Sequence, residues 1–383
     1  MLVRAKGKFV VLHSLIILLI AACAYQPHTN DATNQLAGDT VLLQYAEGFT
    51  IVDYPNYRQL VLADPWQADA VLARYYLVKS DEIIIPDDGI KIKIPIEDMA
   101  VTAVTQIEFL NQLDGINKII GVCSPELIYN HTVQTKYQSG EITNLGDAFN
   151  INLEKTLLLN PTIVMMSGFK QDDPYAKRVL QAGVSVVYNN EWMESTLLAR
   201  AEWIKFVGAL LDKSTDADSV FNDIAGRYES VKAKAQAVEH KPKVLTGSNF
   251  RGTWYMPGGK SFMAQLYQDA GADYPYADND AKGSLPLNVE AVLKDFAEAD
   301  VWLNCDFASL SDLVNMDKKH ALFKPVQTGR VYNFNKRLLT SGANDYWESA
   351  VACPDLLLSD VISVLHPHLL PEHTLIYTEV LKD

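Results

Sequence analysis

The side chains best suited to ligand chemistry gather between residues 251 and 261, where Arg251, Trp254 and Tyr255 precede Gly258-Gly259-Lys260-Ser261. One cation and two aromatic faces would suit a flat or aryl-bearing ligand. Equally, Trp254 and Tyr255 could plug the base of a folded lobe. The Gly-Gly-Lys-Ser run ends like a phosphate-binding loop, but that motif requires glycine where Trp254 stands, so nucleotide hydrolysis is rejected. No His-Glu-x-x-His, Cys-x-x-Cys or Gly-x-Ser-x-Gly pattern occurs, and the acids are not paired in a way that specifies acid/base catalysis. The chain is therefore not expected to be an enzyme. His366, His368 and His373 cluster near the end, but a bare zinc or manganese ion needs His and carboxylate ligands from both sides of a site, and no metal site is expected.

The first residues address the chain outward. Arg4, Lys6 and Lys8 precede an apolar run from Phe9 to Ile20, too short to span a bilayer comfortably and laid out like a secretory signal. It ends in Ile20-Ala21-Ala22-Cys23, which resembles the lipobox of bacterial lipoproteins, in which the cysteine carries the lipid and becomes the new N-terminus. An ordinary signal peptide with an incidental Cys23 is the plainer alternative. The expected location is extracytoplasmic, lipid-anchored to a bacterial membrane. Cleavage before Cys23 removes three basic residues and no acids, moving the net charge from −14 to −17. With no long basic run, nucleic acid is not an expected partner. Three cysteines remain, Cys123, Cys305 and Cys353; buried thiols fit that odd number better than a disulfide framework, and one bridge stays open.

The hydrophobic pattern divides the chain into a leader (1–22), a polar tether (23–39), a β-rich extension (40–93), an α/β lobe (94–213), an interlobe helix (214–240) and a second α/β lobe (241–383). Apolar strands at Lys118–Val122, Thr162–Met166 and Val184–Tyr188 alternate with helical patterns, and the alternation resumes at Lys243–Gly247, Asp300–Asn304 and Arg330–Phe334. Such alternation predicts parallel sheets, because each crossover lays a helix on the sheet. Between the halves, Val220, Ile224, Tyr228, Val231, Ala235 and Val238 recur every three or four residues, predicting one long helix. The fold class is α/β: two parallel-sheet lobes joined by one long helix, with a β-rich N-terminal extension.

Two stretches carry a resemblance. Asn152-Leu153-Glu154-Lys155 through Asn160-Pro161-Thr162-Ile163-Val164-Met165, and Pro286 to Leu293 followed by Ala299-Asp300-Val301-Trp302-Leu303, resemble paired motifs of the helical-backbone periplasmic binding proteins for ferric siderophores, haem and cobalamin. The similarity spans roughly residues 94–383. It implies a monomeric solute-binding protein that delivers a metal chelate to an ABC importer, binding a ferric siderophore, haem or corrinoid as ligand and holding no intrinsic cofactor. It also implies that Glu154 and Glu290 dock into arginine pockets on the permease dimer. Without the resemblance both would read as ordinary helix-start acids.

Open α/β sheets bind ligands beyond the carboxyl ends of their strands. That rule selects the loops Thr102–Thr105, Ser124–Tyr129, Ser167–Lys170, Asn189–Trp192, Asn249–Tyr255 and Asn335–Trp347. Their candidate ligand-binding side chains are Phe169, Trp192, Arg251, Trp254, Tyr255, Arg337 and Trp347, with Lys336 and Tyr346 beside them. Arg251, Lys260, Lys336 and Arg337 favour an anionic chelate. The rival readings are a zinc or manganese receptor, or a surface lipoprotein that binds ligand without a permease.

Overall fold

The computed structural model describes residues 38–170 and 173–383; the leader, Cys23 and nearly all of the tether lie outside the described residues. The extension is a five-stranded sheet, β1 (Asp39–Val41), β2 (Phe49–Asp53), β3 (Tyr57–Ala63), β4 (Val71–Val78) and β5 (Ile90–Lys93), in sequential order. Pairing is antiparallel up to β4 and parallel between β4 and β5. Alternation along these strands buries Phe49, Ile51, Leu60, Leu62, Tyr75 and Leu77 against the next lobe.

The first lobe holds a parallel sheet in the order β12-β11-β6-β7-β8, made of β6 (Met99–Val101), β7 (Ile119–Val122), β8 (Thr143–Asn144), β11 (Ile163–Met166) and β12 (Ser185–Tyr188). A small hairpin, β9 (Gly146–Asp147) with β10 (Asn150–Ile151), sits beside it. The crossovers carry α1 (Ile107–Gln112), α2 (His131–Gln138), α3 (Leu153–Leu159) and α4 (Pro174–Gln181). β6, β7 and β11 are continuous apolar runs because both of their faces are covered. Two short helices, α5 (Leu197–Ala201) and the fully buried α6 (Ile204–Leu211), lead into α7 (Ser214–Gln236). The 23-residue α7 is the expected interlobe helix and ends close to the expected point. It buries Ala217, Phe221, Ile224, Ala225 and Tyr228 and turns charged residues outward.

In the second lobe β13 (Val244–Thr246) and β17 (Val301–Leu303) pair in parallel, widened by single parallel bridges from Lys243 to Asp273 and from Trp302 to Val331. A separate antiparallel sheet joins β14 (Asn249–Phe250), β15 (Thr253–Pro257) and β16 (Ser284–Leu287). Around them lie α8 (Phe262–Asp269), α9 (Val289–Phe296), α10 (Leu310–Met316), α11 (Lys324–Thr328), α12 (Asp345–Ser349) and α13 (Pro354–Leu365), with a terminal pair of β18 (Tyr332–Asn333) and β19 (Glu379–Val380). No described helix is long and apolar enough to cross a membrane.

Buried carboxylates fasten the chain's outer segments. Glu202, fully buried, accepts from the backbone N–H groups of Gln44, Tyr45 and Ala46 at 2.7–2.8 Å and pairs with buried Lys205 at 2.9 Å. Glu194 accepts from Glu47 and Gly48 N–H and from the Trp203 indole. Ring contacts of Phe49 with Trp203 and Phe206, at 4.7 and 5.5 Å between centroids, complete the joint. At the other end Asp360 accepts from Ile376, Tyr377 and Thr378 N–H.

Glu202→Ala should lower the unfolding free energy by about 3 kcal/mol, since it strands three amides and leaves buried Lys205 only the more distant Asp218, at 3.4 Å. Urea denaturation followed by tryptophan fluorescence measures that loss; a change below about 1 kcal/mol would show that Glu202 is dispensable and that Glu194 and ring packing hold the joint.

Candidate functional site

The β14–β15 pair is a hairpin whose two-residue turn is Arg251-Gly252, both at positive φ. Strand alternation then turns Trp254 and Met256 inward and leaves Tyr255 half-exposed on the outer face with Phe250. Trp254 is fully buried: its indole N–H donates to Thr246 O at 2.9 Å, and its ring lies 5.2 Å from Trp302 and 5.6 Å from Phe323. This corrects the expectation that Trp254 lines a ligand wall; period-two alternation assigns it to the core. Arg251 is exposed at the tip beside its neighbour Phe250, and Lys260 is exposed too. Gly258 and Gly259 lie against the backbone carbonyls of Ala277, Asn279, Ala281 and Gly283, so close that any Cβ would collide. Protein backbone fills the concavity that a phosphate loop would offer an anion.

At the carboxyl ends of β11 and β12 the expected loops do meet. Phe169 stacks on Trp192 at 6.1 Å and 28°, and Phe149, from the β9–β10 turn, adds a third ring 4.5 Å from Phe169. Phe149 is 61% exposed and Phe169 43% exposed, so these rings form an open shelf rather than a core. Beside Trp192, buried Glu191 holds the Arg200 Nε at 2.7 Å and aims the guanidinium over the ring of Phe262, 4.4 Å from its centroid. Arg200 lies on α5 of the first lobe and Phe262 opens α8 of the second. That pair spans the lobe junction, where Leu197, Tyr346 and Trp347 join it around a small hollow.

Helix α12 divides this region in two. On one side Trp347, 57% exposed, and Tyr346 face the hollow. On the other, Asp345 and Glu348, three residues apart and hence on one helical face, line an interlobe groove of about 750 Å³. Its remaining walls include Tyr129, Asn130, His131 and Gln134 from the first lobe and Arg337, Leu339 and Thr340 from the second. Arg337 pairs with Asp345 at 2.6 Å, and Lys336 donates to the Leu375 carbonyl. Glu348 accepts from Tyr129 N–H at 2.6 Å across the junction. Burial, reinforced by the nearby carboxylates of Asp345 and Glu108, pushes the Glu348 carboxyl up to about 8, against a partial opposing effect of its backbone donors.

The paired motifs fold alike. Asn152 and Asn288 are N-caps whose side chains accept from the N–H groups of Lys155 and Ala291, which sets Glu154 and Glu290 exposed in the first turns of α3 and α9. Glu290 pairs with Lys319, which holds its carboxyl below the usual value. His373 bonds Asp360 and His366 sits 3.2 Å from the Gly271 carbonyl; among the described residues no group of three or more His, Cys, Asp or Glu is gathered around a metal-sized space. All three described cysteines are free, and burial raises the thiols of Cys123 and Cys305 to about 12. Sequence reasoning missed Arg200, Phe262 and Phe149. The cue available for Arg200 was a cation beside the loop that ends at Trp192; nothing local marked the other two.

A family model described as periplasmic binding protein matches residues 100–338. This chain belongs to that family. Its members are extracytoplasmic ligand-binding proteins of ABC transporters, and the two-lobed α/β architecture is theirs. An uncharacterized lipoprotein of Methanocaldococcus jannaschii is 23% identical over 352 residues, covering 86% of this chain and 82% of the relative. Among solved structures, a periplasmic haem-binding protein of Pseudomonas aeruginosa superposes with a TM-score of 0.56 at 18% identity, covering 75% of this chain and 99% of that one. A possible iron-binding periplasmic solute-binding protein of Staphylococcus epidermidis gives 0.54 at 18%, covering 70% and 98%. At these identities the superpositions establish the fold.

The Glu348 carboxyl is raised on folding from its usual 4.5, so its contribution to stability is complete below pH 4.5 and is lost as pH climbs through about 8. Glu348→Gln should remove that dependence. Thermal melts from pH 5 to 9 are expected to show the wild type losing stability relative to the glutamine variant; parallel curves would refute the assignment.

Proposed function

We propose that this protein is a lipid-anchored receptor that captures a metal chelate, a ferric siderophore, haem or cobalamin, between its lobes and hands it to an ABC importer. The observation that carries this reading is the open shelf of Phe149, Phe169 and Trp192, the last next in sequence to Glu191, whose partner Arg200 meets Phe262 across the lobe junction. Two exposed phenyl rings beside a half-exposed indole are costly to leave in water and match a large ligand with a flat apolar face. Trp347 closes the far side of the junction, Arg337 borders the adjoining groove, and Arg251 and Tyr255 on the hairpin are the remaining candidate contacts. Trp254 has no part in it. Structural neighbours described as haem-binding and as possibly iron-binding support the same ligand class.

Delivery is assigned to Glu154 and Glu290, exposed at helix starts where the macrodipole favours a carboxylate that can accept bidentate bonds from arginine. Lys319 now occupies Glu290 and would have to yield to the permease. Anchoring is assigned to lipid on Cys23, in keeping with the lipoprotein relatives. The single strut α7, tied to the second lobe by Tyr228 donating to Asp269 at 2.7 Å, favours modest closure over wide hinge motion.

Titrating the purified protein with haemin, a ferric tris-catecholate and cyanocobalamin, read by visible absorbance, should show one of the three binding at micromolar concentration or tighter. Phe169→Ala with Trp192→Ala should weaken that binding at least tenfold. The proposal falls if none of the three binds. Separately, Glu154→Arg with Glu290→Arg should leave chelate affinity unchanged and abolish uptake in cells; full uptake by the double variant would refute the docking role.

A further inference from the structure

The N-terminal sheet lies wholly outside residues 100–338, the span of the family match, yet its β3–β4 turn reaches the loop after β11 that carries the ring shelf. The β3–β4 turn places Trp66 against Gly168, the residue before Phe169 in the loop after β11. A Cβ added at Gly168 would stand 3.1 Å from the tip of the Trp66 ring and 3.0 Å from Asn190 Oδ1. Any larger residue would press on both side chains, so the approach is tight. Asn190 secures the seat by accepting from Gly168 N–H at 2.7 Å.

The turn itself is braced. Asp64, nearly buried, accepts from the N–H groups of Trp66 and Gln67, and its own N–H donates to Ala70 O. Next to it, Ala63 N–H donates to Gly48 O, and Gly48 N–H is held by buried Glu194. Trp66 is thus fixed to the first lobe through a short chain of hydrogen bonds while its ring stays half-exposed. A surface tryptophan held in one place beside an open row of rings is a preorganised contact rather than a filler of the core.

We propose that the N-terminal sheet is a working part of the ligand site, with Trp66 adding an aromatic wall beside Phe169 and Trp192 that takes a conjugated face or edge of the bound chelate. This inference rests on the chelate-binding reading above.

The test uses the mature protein labelled with 5-fluorotryptophan, whose six tryptophans give six fluorine resonances assignable by single replacement. Each of haemin, the ferric tris-catecholate and cyanocobalamin is added in turn. The Trp66, Trp192 and Trp347 resonances should shift or broaden with a bound chelate, while buried Trp203, Trp254 and Trp302 change least. Movement of Trp192 and Trp347 without Trp66 overturns the inference and leaves the receptor reading standing; no movement of any of the three with any chelate overturns both. In parallel, Trp66→Ala should weaken chelate binding about fivefold to tenfold with its melting temperature little changed, and Trp66→Phe should recover most of that loss. Wild-type affinity in Trp66→Ala overturns the inference.

Discussion

Five consecutive backbone amides, from Gln44 to Gly48, end on two buried carboxylates, Glu202 and Glu194. A buried carboxylate is tolerable only when its oxygens are saturated with donors. Here the donors come from a segment some 150 residues away, so desolvation of the acid and attachment of the N-terminal sheet are one event. The same device recurs at the other end, where Asp360 gathers the amides of Ile376, Tyr377 and Thr378. Segments 44–48 and 376–378 are therefore fastened to the body by directed hydrogen bonds as well as by apolar packing. A clamp of this kind sets orientation, which packing alone would leave looser.

That orientation matters because the site is assembled from residues with no common local origin. Phe149 comes from a hairpin, Phe169 and Trp192 from the ends of two parallel strands, Arg200 from a short helix, and Phe262 and Trp347 from the second lobe. Helix α12 organises the junction by ordinary helical geometry: Asp345 and Glu348 face the interlobe groove, and Trp347 faces the aromatic side. Acidic groups crowd that groove, yet Arg337 neutralises one of them and burial keeps Glu348 largely protonated near neutral pH. The net charge of the chain thus says little about the local field a ligand meets.

Much of the architecture was legible in the residue pattern. Continuous apolar runs such as Ile163–Met166 announced buried parallel strands, and the 3–4 spacing from Ala217 onward announced α7. Asn152 and Asn288 before Leu-Glu and Val-Glu announced two helix starts with exposed carboxylates. The residue types after β13 fit equally a loop with Trp254 and Tyr255 on a ligand wall and the same pair plugging the base of the lobe; Trp254 takes the second place and Tyr255 does not. The segment folds as a hairpin, and in a strand the neighbours Trp254 and Tyr255 must face opposite ways. Short helices such as α2 and α6 also escaped the pattern, because α6 is buried along its whole length, Lys205 included, and α2 carries only one buried residue, Val133.

By itself, the sequence determined the class of fold, the strut, the two capped glutamates and the acidic, exported character of the chain, since each follows from local periodicity, capping or composition. Only the tertiary structure decided which aromatics are exposed, that Arg200 crosses to Phe262, and that Trp66 is brought to Gly168 from a separate sheet. Those pairings span up to about a hundred residues and depend on how sheets and helices pack. Local residue preferences are blind to such distances, because a side chain's surroundings are set by elements that its own neighbours do not encode.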